Sequence, residues 1–310
     1  MKPNVAYLPG RIVENWQWEK IKTWHIGFDF GLLDNRLTGS FDYFVRKNAD
    51  MIGPEQEMHA IICHASPNLN NTDMKTYGFD FIIAWSDGFD NGLDYGVKFM
   101  LSDSQSKVTK FPNIEGVHSQ EGANRYLQGH KIGNIWGYET IGIAQTDEQM
   151  QEHLASLPNG GQDALGSNWG AGDIMYKDLD GDGRIDEAHD RTWIGISDPD
   201  FIAGLNFNSQ YRNFDLSLFF QGVFGNEVYN RWKEYSDFWN FHVQKGKNHP
   251  TRILKAWTPD NPTSKIPALT LANRNGENRM STYFIENGSY LKLRTIELGY
   301  TFPRHISQKM

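Results

Sequence analysis

The chain has 310 residues, 39% of them hydrophobic and 14% aromatic, and a formal net charge of -8. That charge, with no long Lys/Arg run, excludes a nucleic-acid footprint. No stretch approaches the ~18 consecutive apolar residues of a membrane helix, which excludes a helical spanning protein.

The first predicted elements are two strands. Over 19–31, Trp24, Ile26, Phe28 and Phe30 alternate with Thr23, His25, Gly27 and Asp29. Over 36–47, Leu37, Phe41, Tyr43 and Val45 alternate with Thr38, Ser40, Asp42 and Arg46. Strand side chains point to opposite faces with period two, so each segment has one apolar and one polar face. The pattern returns over 76–86 with Tyr77, Phe79, Phe81, Ile83 and Trp85, and over 92–102 with Leu93, Tyr95, Val97, Phe99 and Leu101. Further strands are predicted over 199–211, 213–222 and 289–302.

Connections near 32–35, 87–91 and Tyr211-Arg212-Asn213 are short and carry Asp, Asn or Gly, as tight hairpins require. By contrast 48–75, 103–198 and 223–288 far exceed ordinary loops, and all fall at the same end of the hairpins. This asymmetry is that of an outer-membrane β-barrel whose long loops face outside. The mean hydropathy of -0.59 does not oppose it, because only alternate residues of a spanning strand meet lipid. The predicted fold is therefore all-β: an antiparallel transmembrane β-barrel segment of about seven strands, incomplete because an open sheet leaves unpaired edges in lipid. Met1-Lys2-Pro3-Asn4 opens no charged-then-apolar leader, and Tyr300 to Ser307 break off after a strand. Both points suggest a piece of a longer protein, with 1–310 as one partial barrel domain.

Two helices are expected within the long loops. One starts at Thr146-Asp147-Glu148-Gln149, with acids at its positive end, and runs to Leu157 before Pro158. The other covers Glu227 to Trp239, where Tyr229, Trp232, Tyr235, Phe238 and Trp239 recur at helical spacing. The abundant aromatics suit barrel girdles, a sugar-stacking surface or a plain β core.

The sharpest motif is Asp178-Leu179-Asp180-Gly181-Asp182-Gly183-Arg184-Ile185-Asp186. Calcium takes six to eight oxygens, supplied in such loops by side chains at positions one, three, five and nine and a carbonyl at seven. Those places fall on Asp178, Asp180, Asp182, Asp186 and Arg184, with Gly183 at the sharp turn. Position twelve, where a closing acid belongs, holds His189, and Asp190 follows it. An occupied calcium loop and an Asp-Gly turn whose acids accept backbone hydrogen bonds both fit. No helix reads on the N-terminal side, so a calmodulin-like sensor is not expected. The single cysteine, Cys63, reads as a loop thiol. No Gly-x-Ser-x-Gly elbow, His-Glu-x-x-His or phosphate loop occurs, and Asp198/Asp200 reads as a turn pair rather than catalytic carboxyls.

Several pieces in order resemble the C-terminal barrel portion of the SusC/RagA family of TonB-linked outer-membrane proteins. They are Trp18 to Phe30, Asn35 to Phe44, Gly172 to Asp186, Ile194-Gly195, Asn287 to Arg294 and Leu298-Gly299-Tyr300. The resemblance implies a TonB-dependent importer of glycans or peptides working with a SusD-like surface lipoprotein, with no catalytic residues and no required cofactor. It implies that TonB is met through a missing N-terminal part, with a plug and first strands ahead of Met1 and closing strands after Met310. It further implies a polar lumen lined by Thr23, His25, Asp29, Asp42, Arg46, Asp80 and Lys98. The loops 103–198 and 223–288 would be extracellular, the Asp loop holding at most a structural calcium. Trp136, Trp169, Trp232 and Trp239, with Trp257, are substrate-stacking candidates, and packing in the loops is the competing reading for each. Two rival functions are a secreted carbohydrate-binding β-sandwich and an all-β polysaccharide-degrading enzyme. A buried second face would favour the sandwich, and a two-carboxyl cleft the enzyme.

Overall fold

The computed structural model describes residues 16–53, 69–112, 126–238, 250–270 and 274–303. Cys63 and Trp239 lie outside them. Seven long strands build one sheet: β1 (Lys20–Leu32), β2 (Leu37–Ile52), β3 (Asn70–Phe89), β4 (Leu93–Lys110), β9 (Phe201–Tyr211), β10 (Phe214–Phe224) and β13 (Tyr290–Tyr300). They pair antiparallel in that order, and β1 and β13 are the sheet's edges. The intervening numbers belong to short elements of the long connections: β5 (Asn134–Tyr138), β6 (Thr140–Ile143), α1 (Asp147–Ala155), β7 (Ile174–Tyr176), β8 (Arg191–Ile196), β11 (Glu227–Tyr229), α2 (Arg231–Asp237) and β12 (Ile285–Asn287).

Register carries the apolar alternation of each strand across the whole sheet. Phe28 faces Phe41, which faces Phe81, which faces Leu101. The row continues through Phe99 with Leu205, Leu205 with Phe220, and Phe220 with Leu293. Between Phe219 and Phe220 the pairing with β13 shifts by one extra residue, Arg294. A bulge of this kind restores parity beyond it, so Ile296, Leu298 and Tyr300 rejoin the apolar row opposite Leu218, Leu216 and Phe214.

Among the described residues no second layer covers that face. Trp24, Ile26 and Phe28 stand 56% to 60% exposed, and Ile296 and Leu298 stand at 64% and 72%. Among the described residues the buried hydrophobic side chains lie in the connections, Val108 at the loop end of β4 excepted.

Hairpin chemistry holds at the short end. Leu33, Asp34 and Asn35 all take positive φ, and the Arg36 amide donates to the Leu33 carbonyl at 3.1 Å. Gly92 (φ 81) closes β3–β4, and Arg212 (φ 54) turns β9 into β10.

Boundaries at the other end differ from expectation. Residues 48–52, 70–75 and 103–110, read as loop, are paired strand, so the long connections run only over 53–69, 111–200 and 225–289. Here both faces are polar, as in Asn70-Asn71-Thr72-Asp73 and Ser102-Asp103-Ser104, and the ladder persists without an alternation to mark it. Met74 still faces Val108, and the Thr76 and Ser106 hydroxyls meet at 2.9 Å.

Two glycines let rings lie across the sheet. A Cβ on Gly39 would strike the Phe30 ring, and one on Gly78 would strike the Asp103 carbonyl and the Phe44 ring. Gly39→Val and Gly78→Val are each expected to lower stability by about 1–3 kcal/mol, read as an earlier guanidinium unfolding midpoint.

Candidate functional site

The two longest connections fold together into one core. Tyr138, Ala144, Met150, Leu157, Trp169, Ile174, Met175, Tyr176 and Ile185 of the first pack with Phe238 and Phe284 of the second. Thr146 begins α1 as expected, its hydroxyl accepting from the Gln149 amide at 3.2 Å, and Met150 supplies the buried contact. The second helix is shorter than predicted. Glu227–Tyr229 pairs with β12 instead, and Asn230 caps α2 by accepting from the Trp232 and Lys233 amides. A sequence-remote strand partner claims what looked like the first helical turn.

The connections are also cross-bonded. The Tyr138 amide donates to Met280, the Ala268 amide to Gly172 and the Thr140 and Thr282 hydroxyls meet at 2.7 Å. Arg279 donates to the carbonyls of Leu165, Asn275 and Gly276, and its guanidinium lies 5.7 Å and 5.5 Å from the Tyr138 and Tyr176 rings.

The Asp loop closes one residue later than the calcium template places it. Carboxylate oxygens of Asp178, Asp180 and Asp190 lie within 4.8 Å of one another. Asp190 thus takes the closing place, while His189 turns its Nδ1 to Asp186 at 3.1 Å. Asp186 also accepts from the Ala188 and His189 amides, and Asp182 from that of Arg184, so these two acids serve the turns. For Asp186, burial pushes the carboxyl up, but those N–H groups prevail and hold it below its ordinary range. For Asp190, burial prevails, helped by the negative charges of Asp178 and Asp180, and its carboxyl is pushed up. Crowded hard oxygens of this sort suit a cation of the calcium class. Asp178 also accepts from the Gly181 and Gly183 amides, so the loop is held by its own hydrogen bonds as well.

A second acidic pair lies deeper. Asp173 accepts from the Gly170 amide at 2.8 Å and the Asn275 side chain at 3.0 Å, and Glu277 from the Ile174 amide at 2.5 Å. Burial pushes Asp173 up to about 6 and Glu277 up to about 8, each raised further by a neighbouring acid, Asp147 and Asp173 respectively. Both line a cavity of about 380 Å³. A second cavity, of about 410 Å³, opens beside Tyr138, Arg191, Glu234 and Arg279. Asp173 lies in the Gly172 to Asp186 piece but outside its Asp loop, and Glu277 in no motif, so sequence reasoning singled out neither acid.

The predicted stacking tryptophans fall into different settings. Trp136 is buried edge-on to His130 at 5.1 Å, and Trp169 is buried edge-on to Tyr176 at 6.3 Å. Core packing accounts for these two, which offer no open ring face. Trp232, 80% exposed on α2, remains open. On the sheet's polar face register brings Thr23 beside Arg46 and Asp42 beside Asp80, and His25 reaches Asp42 at 3.0 Å. Asp198 and Asp200 lie against positive-φ turn glycines, Gly133 and Gly225, as a turn pair should.

No family model matches the chain. It is 29% identical over 301 residues to TonB-dependent receptor P3 of Formosa agariphila, covering 94% of this chain and 28% of the relative. It is 25% identical over 302 residues to TonB-dependent receptor SusC of Bacteroides thetaiotaomicron, covering 95% of this chain and 27% of the relative. The chain thus spans less than a third of the length of these relatives. Among solved structures, it is similar to the RagAB peptide transporter with TM-score 0.66 at 19% identity, over 93% of this chain and 29% of that one. The RagAB peptide importer in its open-open state gives 0.63 at 20%, over 94% and 29%. The relatives carry the names of receptors and not of enzymes.

Two outcomes follow. Raised folded-state carboxyl pKa values stabilise while the groups are protonated and are lost as pH rises through them. Thermal unfolding of the loop core is therefore expected to move to lower temperature as pH climbs from about 5 to about 9, with Glu277→Gln flattening the alkaline part. Asp190→Ala strands the Leu179 and Asp186 amides that Asp190 now accepts from. It is expected to destabilise the core by about 2 kcal/mol, read by protease susceptibility within 178–190.

Proposed function

We propose that this chain belongs to the SusC/RagA group of TonB-dependent receptors, to which it is similar, and that its sheet is part of an outer-membrane barrel wall that imports glycans or oligopeptides. The observation that carries this reading is the uncovered apolar face running unbroken over seven strands, with every long connection at one end. On β3 the alternation from Tyr77 to Trp85 matches the 9–11 residues of a tilted spanning strand. A buried-sandwich reading would require a second layer over that face, and the described residues supply none.

In this arrangement lipid meets Phe28, Phe81, Leu101 and Leu298, while the opposite face looks into a wet lumen. The bonded loop core stands on the outer side, where a SusD-like surface lipoprotein closes over it. Similarity to SusC, and to structures described as a RagAB peptide transporter, supports such a partner and a glycan or peptide cargo. Energy would come through TonB. Trp232 is an exposed aromatic platform for cargo or partner. A calcium ion between Asp178, Asp180 and Asp190 would stiffen the longest connection, and added calcium should then protect 178–190 from proteolysis in wild type but not in Asp180→Asn.

Adjacent residues of β13 test the wall directly. Leu298→Arg puts a charge on the lipid face toward the short-turn end of β13, at a penalty of about 1–2 kcal/mol between the midplane and interface values, whereas Glu297→Arg faces the lumen. The outer-membrane fraction, scored by heat-modifiable gel mobility, should fall for Leu298→Arg and hold for Glu297→Arg. Equal recovery of both variants overturns the proposal. Uptake of labelled oligosaccharide against labelled peptide then distinguishes the cargo.

A further inference from the structure

We propose that a row of lysines on the apolar side of the sheet, at its long-connection end, binds the phosphate groups of membrane lipids. Lys22 faces Lys47, Lys47 faces Lys75 and Lys75 faces Lys107, so four ammonium-bearing side chains stand side by side across β1 to β4. An isolated bridge carries the row on from Lys107 to Lys131, whose charge acts on Asp198. Strands lie ~4.8 Å apart, so the first four lysines span roughly 15 Å. Lys22, Lys47 and Lys107 are exposed and Lys75 is half-buried. Like charges directly opposite each other destabilise a strand pair, and three such pairs in one row call for anions against them. The chain, with its net charge of -8, does not place its acids there. Among the described residues lysine ion pairs are formed by Lys20, Lys177 and Lys233, and by none of the four. The acids along these strand ends are engaged elsewhere. Asp50 pairs with Lys20 at 2.8 Å, Asp73 lies opposite Lys110 and accepts from the Asp50 amide at 2.9 Å, and Asp103 accepts from the Gln105 side chain at 2.8 Å.

Position selects the occupant. The next row inward on the same face is Trp24, Val45 and Tyr77, and Lys75 stands just outside the Tyr77 to Trp85 span of β3. The Lys75 ammonium lies 5.3 Å from the centre of the Tyr77 ring. Rings followed by long basic side chains is the order met on leaving the hydrocarbon layer, with the ammonium groups at headgroup depth. There each ammonium has three donors to give, and phosphate oxygens accept them. The opposite end of this face carries Asp87, Phe89 and Tyr95 across β3 and β4 instead of lysines. Phosphate capture therefore belongs to the leaflet on the long-connection side.

This inference rests on the reading of the sheet as a barrel wall, but it is measured apart from it. Loss of phosphate preference beside an upheld contrast between Leu298→Arg and Glu297→Arg rejects the lysine row alone. The test titrates the purified full chain, in a non-ionic detergent, with dioleoyl phosphatidic acid and separately with dioleoylglycerol, which differs only in lacking the phosphate. Phosphatidic acid should bind at least tenfold more tightly. The combined variant Lys22→Gln, Lys47→Gln, Lys75→Gln, Lys107→Gln should lose that preference, the four corresponding Lys→Arg changes should keep it, and so should Lys177→Gln, a lysine of the loop core. In wild type the preference should shrink severalfold between about 0.05 M and about 0.5 M sodium chloride, a readout that needs no variant to fold. Inorganic phosphate at the lipid's concentration should not displace it, because the acyl chains hold the headgroup against the Trp24 and Tyr77 row. Equal binding of dioleoylglycerol, preference retained in the Gln variant, indifference to salt, or displacement by inorganic phosphate each overturns the proposal.

Discussion

Everything in the sheet depends on period-two parity surviving six strand pairings. A slip of one residue in any ladder would move an apolar row to the polar side and break the continuous face. Register is pinned by tight turns at one end, where positive-φ residues at Leu33 to Asn35, Gly92 and Arg212 leave no slack. The one irregularity beside the apolar rows is corrective, since without the extra residue Arg294 the short-turn half of β13 would present Glu297 instead of Leu298. Arg294 itself bonds Gln221 across the polar face at 3.0 Å, so the bulge is tied down.

The loop core obeys a different rule. There the apolar groups turn inward, and many of the buried polar groups have partners: Arg279 on three carbonyls, Gln162 between His153 and the Tyr176 amide, Asp237 on Tyr283 and Arg252. One polypeptide thus carries an inside-out wall and an ordinary packed core, joined where β4, β9, β10 and β13 leave the apolar band. Amides of Val108 and Ile132 and the side chain of Gln105 bond across that junction.

Legibility followed the locality of each interaction. The strands could be read because alternation is a property of neighbouring residues, and Phe41 needs no knowledge of Phe81 to mark its face. The polar ends of β2, β3 and β4 could not, since polar residues stand on both faces there and leave no alternation to read. Thr146 announced its helix through a local cap, whereas Glu227–Tyr229 became a strand because of β12, a partner far along the chain. The Asp motif was plain, but its closing residue was decided by reach and not by counting, because the His189 ring satisfies Asp186 and leaves Asp190 to turn inward. For Trp136 and Trp169 the sequence left stacking and loop packing both open, and their burial among loop neighbours favours packing. Asp173 and Glu277 meet through folding alone.

The shared core also has a mechanical meaning. Since Phe238 and Phe284 sit among the side chains of the other connection, neither loop can swing without dragging its companion. A pull applied at one is distributed to four strand roots at once, and the pair acts as a single stiff lever rather than two independent flaps.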